Sequence, residues 1–378
     1  MLIFCPLCGD DNLSTIYQTT ELPGFQNRGY SSLDVAQQAP TGELDLVVCS
    51  FCGFVFNMAF DPTRLVYGKS YQDEQAHSEY FKIYLKKLIE FLEKRGLLNG
   101  RIVEIGCGKA YFFSKLAKTG KNILGFDPAY EGNHPGIVKD YFDERYLFGD
   151  TSTFLMRHTL EHIHDPVTFL HQIAKANKWS GRIYIEVPCF EWISKNNAFW
   201  DLCYEHCNYF TKRTLSSLFA DADTGTLFGG QYIYVIGDLG KIRASATPNS
   251  VFPKHGLFRD ELEKYRSFIA KERNIVVWGA GAKGVTFVNL MDPDRKRILG
   301  LIDINPKKQG RYVGKTGHKI SSPDILDKVP VETVIVMNEN YLDEIKRQIS
   351  SDKINIWTFG SINRFMQGEV KNGNFGVG

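Results

Sequence analysis

Apolar positions along the chain fall into two recurring patterns. Tyr80-Phe81-Lys82-Ile83-Tyr84-Leu85-Lys86-Lys87-Leu88-Ile89-Glu90-Phe91-Leu92 carries them at helical spacing and predicts a helix. Beyond it, Arg101-Ile102-Val103-Glu104-Ile105 is a short strand-like run that enters Gly106-Cys107-Gly108. A helix is expected over 112–117, then a second strand over Asn122-Ile123-Leu124-Gly125-Phe126, closing on Asp127. Further strands are predicted at 153–157, 182–187 and 231–236. Strand, Gly turn, helix, strand and terminal acid together form half of a doubly wound nucleotide-binding fold.

The same order returns near the C-terminus. Ile275-Val276-Val277-Trp278 leads into Gly279-Ala280-Gly281-Ala282-Lys283-Gly284, and Ile298-Leu299-Gly300-Leu301-Ile302 ends on Asp303. A buried strand is predicted at 333–337 and a helix at 341–349. This echo reads as two related α/β halves or as chance, since buried parallel strands favour the same residues. The segments so marked are 1–62, 78–245 and 255–378, and a chain of 378 residues is long enough for two or three domains.

The first segment stands apart through its cysteines. Four of the eight form two Cys-x-x-Cys pairs, Cys5/Cys8 and Cys49/Cys52, each followed by Gly. Two residues between thiols let one tight turn offer both sulfurs to a single ion. The 40 residues between the pairs exceed the commonest zinc-ribbon spacing. Four buried cysteines or a dithiol redox pair are the other readings, and a structural zinc held by all four thiolates is the one adopted. The remaining cysteines, Cys107, Cys189, Cys203 and Cys207, show no such pairing.

Composition narrows the function classes. Lys+Arg at 45 against Asp+Glu at 43 leaves a formal charge of +2, which argues against a nucleic-acid partner. No apolar run reaches bilayer length, so no membrane partner is expected. The start, Met1 to Pro6, lacks a basic n-region, and a cytoplasmic location is expected.

The two Gly turns suggest different ligands. In Glu104-x-Gly106-x-Gly108, with Ala110 as the third small residue, an acid precedes the first Gly. That suits S-adenosylmethionine (SAM), which has no pyrophosphate and carries a cationic amino-acid end. Asp127 is placed to accept from the ribose hydroxyls. Gly279-x-Gly281-x-x-Gly284 with Asp303 fits the dinucleotide fingerprint more literally, so it reads as an NAD site or as a turn that binds nothing.

With these features together, the chain resembles the three-domain, zinc-containing, SAM-dependent sugar C-methyltransferases of nucleotide-deoxysugar biosynthesis. The resemblance spans nearly all residues. It is strongest at Arg157-His158-Thr159-Leu160-Glu161-His162-Ile163-His164-Asp165-Pro166, at Glu205-His206-Cys207-Asn208-Tyr209-Phe210, and at 279–284 with Asp303 to Gly310 and Ile320-Ser321-Ser322-Pro323. It implies an α/β protein: a small N-terminal zinc-binding module, a central Rossmann-like class I methyltransferase domain, and a C-terminal Rossmann-like domain. That last domain, with Gly279, Gly281, Lys283, Gly284 and Asp303, is then expected to contribute to a sugar-nucleotide site and not to hold NAD. The chain departs from the family pattern at Lys109-Ala110, and at Cys203, where a tyrosine is usual and Tyr204 comes one place late.

Carbon methylation next to a ketone needs a base, an enolate stabiliser and an in-line methyl donor. His206 is expected as the base, because imidazole titrates near operating pH. Glu205 would assist it, and His162 would donate to the developing oxyanion. Tyr71, in Tyr67-Gly68-Lys69-Ser70-Tyr71, resembles a family tyrosine that reaches the site, and Tyr204 is the remaining candidate. O-methylation of a sugar or polysaccharide precursor, or a non-enzymatic nucleotide-binding scaffold, are the alternatives.

Overall fold

Alternation along Thr41–Cys49 sends Leu44, Leu46 and Val48 into one core and Val47 and Cys49 into another, while Glu43 is exposed. This strand pairs antiparallel with Leu13–Pro23 on one side and Val55–Asn57 on the other. The fourth strand of the sheet, Asn208–Tyr209, comes from the central segment and pairs with Val55 and Phe56. The first segment therefore completes its sheet with residues that closely follow Glu205-His206. The computed structural model describes residues 3–68, 70–249 and 256–369. Lys69 and the segment limits set at 1, 255 and 378 lie outside the described residues.

The central sheet has seven strands, in the order Ala222–Leu227, Tyr232–Asp238, Arg182–Pro188, Thr151–Arg157, Arg101–Ile105, Asn122–Phe126, Ile137–Val138. The first two pairings are antiparallel and the other four are parallel. The strand order reverses direction between Arg101–Ile105 and Thr151–Arg157, the place where open α/β sheets leave a ligand crevice. The amphipathic helix runs over Glu79–Lys94, with the Ser78 hydroxyl accepting from Phe81 N at 3.2 Å as its cap. It buries Phe81, Leu85, Leu88 and Leu92, one stripe at helical spacing.

The third sheet is wholly parallel, in the order Ile320–Ser321, Ile298–Ile302, Ile275–Trp278, Thr333–Val336, Asn355–Thr358. The helix expected over 341–349 is shorter, a 3-10 turn at Glu339–Tyr341 followed by Leu342–Lys346. Edge strands are among those that escaped the sequence pattern. Ala222–Leu227 is a part-exposed edge of small and polar residues, and Asn355–Thr358 is an edge strand only four residues long.

The three parts share cores. Ile16, Leu44 and Leu46 of the first sheet pack in one cluster with Phe199, Trp200, Tyr265, Phe287 and Phe359. Within it Trp200 stacks on Phe359 with ring centroids 3.4 Å apart. Leu7, Cys49, Cys52 and Phe54 join Phe154, Met156 and Leu170 of the central domain in another. Side chains of this size stabilise by roughly 1.5–3 kcal/mol each when fully buried, so the parts are not loosely tethered beads. Glu131 adds a polar clamp, accepting from Gln72 (2.8 Å), Lys109 (3.2 Å) and Lys307. Among the described residues no helix is long and apolar enough to cross a membrane.

Candidate active site

The carboxyl ends of the central and third sheets open onto one cavity of about 680 Å³. Residues of both Gly turns line it, as do Tyr67, Tyr71, His162 and His206.

The first turn is built by backbone demand. Gly106 has φ +77°, and a Cβ there would lie 2.1 Å from Thr159 Oγ1, so only glycine fits. Asp127 holds the turn from the next strand: Oδ2 accepts from Gly108 N and Oδ1 from Ala129 N, both at 2.7 Å. Glu104 is 2% exposed with an unpartnered Oε2, and burial pushes its carboxyl up to about 8 against the pull of Arg157. A buried acid without a donor, on a cavity wall, fits a cationic group such as the amino-acid end of SAM. Asp73, just past Tyr71, also lines this wall, and burial and Asp127 raise its carboxyl.

The second turn repeats that plan. Gly106 N donates to Phe126 O and Gly279 N to Ile302 O, each at 2.8 Å. Asp303 Oδ2 accepts from Ala280 N at 2.9 Å, as Asp127 does from Gly108. A Cβ on Gly284 would sit 1.8 Å from Gly279 O, so glycine lets the following helix, Ala282–Met291, approach its own turn. Gly281 is the N-cap of that helix. Lys283 is paired with Asp201, and Lys308 donates to Asn27 Oδ1 and Ala280 O at 3.0 Å. Both amines belong to the cavity lining. Lys308 lies within the Asp303 to Gly310 stretch, but only the structure brings its amine to this wall.

Between the turns lies a cluster centred on a residue that sequence reasoning passed over. Tyr67 OH donates to Glu205 Oε2 at 3.2 Å and lies 3.0 Å from His162 Nδ1. His162 Nδ1 also lies 3.0 Å from the Glu205 carbonyl oxygen, which can only accept, so Nδ1 carries the proton. His162 spends its Nδ1–H on Glu205 and Tyr67, so only Nε2 could face the developing oxyanion expected of it. Glu205 is 2% exposed, accepts from Gln26 N, and is raised by burial; it stands behind the cavity wall and reaches the cavity through Tyr67.

His206 faces the cavity, edge-on to His162 at 4.8 Å between ring centroids. Burial and the neighbouring His162 hold its imidazole down to about 3, so the structure does not give it the near-neutral titration expected of a base. Tyr71 lines the cavity, packed edge-on against Tyr67 at 5.1 Å, with Asn27 Nδ2 at 3.4 Å from its hydroxyl. Tyr204 does not belong there. It is 1% exposed, its hydroxyl takes up Asp61 N at 2.9 Å, and its ring lies against Phe60. As a catalytic candidate Tyr204 is corrected to a packing residue.

Away from the cavity, the sulfurs of Cys5, Cys8, Cys49 and Cys52 lie within 4.8 Å of one another, with Cys5–Cys52 at 3.6 Å and Cys8–Cys49 at 3.5 Å. A tetrahedron of Zn–S bonds near 2.3 Å has edges of about 3.8 Å, so this donor set fits zinc.

Two families match the chain, a methyltransferase domain over residues 75–224 and a domain described as C2185-like, N-terminal, over 271–358. The C-methyltransferase NovU of Streptomyces niveus is 23% identical over 385 residues, spanning 90% of each chain. The ubiquinone biosynthesis O-methyltransferase of Erwinia tasmaniensis is 24% identical over 119 residues, 28% of this chain and 47% of that one. Among solved structures, a SAM-dependent methyltransferase from Archaeoglobus fulgidus aligns with TM-score 0.30 and 16% identity, covering 42% of this chain and 99% of that one. The chain carries a SAM-dependent methyltransferase domain and is similar to a C-methyltransferase over 90% of its length.

Proposed function

We propose that the protein C-methylates a nucleotide-linked keto-deoxysugar through an enolate, with a closed structural zinc on Cys5, Cys8, Cys49 and Cys52. The observation that carries this reading is the single cavity onto which both Gly turns and the Tyr67–Glu205–His162 cluster open. SAM, when bound, supplies an electrophilic methyl group. Glu104, Gly106, Gly108 and Asp127 would hold it against the first turn. The N-terminus of Ala282–Met291, with Lys283 and Lys308, offers N–H groups and positive charge to a diphosphate. Asp201 and Asn27 then release those amines to the ligand.

Proton removal falls to Tyr67. Its oxygen takes the substrate's α-proton while its own proton passes to Glu205, and His162 Nδ1–H steadies the phenolate. Tyr71 shapes the same wall. Incubation with SAM and a nucleotide-linked 4-keto sugar is expected to give a product whose new methyl is bonded to carbon by NMR. A methyl on oxygen moves the assignment to O-methylation, and absence of SAM binding by calorimetry moves it to a scaffold.

The cofactor wall has its own expected behaviour. Asp127→Ala should weaken SAM binding by about 1.5–3 kcal/mol, the scale of a hydrogen bond to a charged group. With its carboxyl near 8, Glu104 is mostly protonated at pH 7 and ionises when a cation binds beside it. SAM affinity should therefore rise between pH 6 and 9, with proton release visible as buffer-dependent enthalpy. Glu104→Gln should abolish that release. An affinity flat in pH would place the cation elsewhere.

A further inference from the structure

Glu161, His162 and His206 each bring one ligand atom to within 4.8 Å of the other two, close to the span that bonds of about 2.1 Å to a shared ion allow. Glu161 is 1% exposed; the His158 ring pairs with its Oε1 at 3.4 Å, and its Oε2 receives no hydrogen bond. His162 is oriented by its Nδ1–H on the Glu205 carbonyl at 3.0 Å, which turns Nε2 away from that bond. A backbone carbonyl on the far nitrogen is the usual partner that orients a metal-bound imidazole. The His206 side chain makes no hydrogen bond among the described residues and rests against His162. All three residues line the cavity.

The geometry points to a second metal site: Glu161, His162 and His206 hold a divalent first-row transition ion on the cavity wall, its open positions facing the substrate. Two imidazoles and one carboxylate suit such ions and leave coordination sites free, whereas four thiolates close theirs. The ion's part in the reaction rests on the enolate reading: it binds the keto oxygen and takes up the negative charge that forms when Tyr67 removes the α-proton. His162 then joins the ion on one nitrogen to Tyr67 on the other.

Zinc-loaded protein titrated with Co²⁺ tests this. One further equivalent should bind with visible d–d absorption and without sulfur-to-cobalt charge transfer, because the cysteines are already filled. Glu161→Gln and His206→Asn should each weaken Co²⁺ by at least the roughly 10–100-fold that loss of an orienting partner alone causes. The cysteine-bound zinc should stay in both. Absence of Co²⁺ uptake beyond the zinc equivalent, or undiminished uptake in both variants, overturns the site. Full turnover by protein stripped of this ion overturns its role in the reaction and leaves C-methylation standing. Co²⁺ uptake by a protein that methylates no keto sugar supports the site and removes the proposed function.

Discussion

Cys49→Ser is expected to strip the zinc, lower the melting temperature of the whole chain and abolish methyl transfer together. Cys49 ends the strand Thr41–Cys49, and its backbone N–H and carbonyl fix the turn through Phe54 O and Gly53 N, both at 2.9 Å. That turn leads straight into Val55–Asn57, the strand that pairs with Asn208–Tyr209. Loss of the cluster therefore loosens the segment that anchors Glu205 and His206. The knuckle also shares a core with Phe154 and Met156 of the central sheet. Structural zinc contributes on the order of 10 kcal/mol of apparent folding free energy, comparable with the total stability of a domain. Thermal melting, zinc content and turnover should fall in parallel. A zinc-free variant with an unchanged melt would show that the four sulfurs hold no structural ion.

That coupling is not visible in the sequence, where segment 1–62 reads as a separate module. The four cysteines that gather into one cluster are legible, because Cys-x-x-Cys-Gly is a local geometry. Contacts of this segment with residues about 150 positions later are not, because Asn208–Tyr209 is a two-residue strand with no periodicity of its own. The same division runs through the fold. The α/β class and the central strands are legible: 182–187 is expected and Arg182–Pro188 is found, because Ile183, Tyr184, Ile185 and Val187 make a short apolar run. Edge strands such as Ala222–Leu227 carry no such run.

The candidate site shows a parallel limit. The Gly turns and their acids announce themselves through spacing, and the structure gives Asp127 and Asp303 the same kind of backbone partner. Whether both turns serve one cavity is a question of how two sheets face each other, which spacing does not encode. Residue type also misleads. Tyr204 suggests itself by standing beside Glu205, yet the two sit in a turn closed by His206 N on Cys203 O at 3.3 Å, and the Tyr204 ring turns toward Phe60 and Asp61. Tyr67 looks in sequence like no more than the start of the motif ending in Tyr71. Its bonds to Glu205 and His162 span 138 and 95 residues of sequence.

Tyr67→Phe is expected to lower kcat by roughly 10²–10⁴, the range for deleting one positioned acid–base group, with SAM affinity nearly unchanged. The change keeps the ring that packs against Phe25 and Tyr71, so the wall should hold its shape. It removes the cavity-facing oxygen that bridges a buried carboxylate and a histidine N–H. Proton abstraction must precede methyl transfer if the nucleophile is an enolate. Wild-type enzyme with keto substrate and S-adenosylhomocysteine in deuterated water should then wash deuterium into the α-carbon without methylating it. Tyr67→Phe should lose exchange and turnover alike. Glu205→Gln should lose both as well, since an amide cannot take the phenol's proton, whereas Tyr204→Phe should keep turnover near normal because its hydroxyl serves only Asp61. Exchange persisting in Tyr67→Phe and disappearing in His206→Asn would return the base to His206. Loss of turnover in Tyr67→Phe with no exchange in the wild type would instead favour removal of a hydroxyl proton and methylation on oxygen.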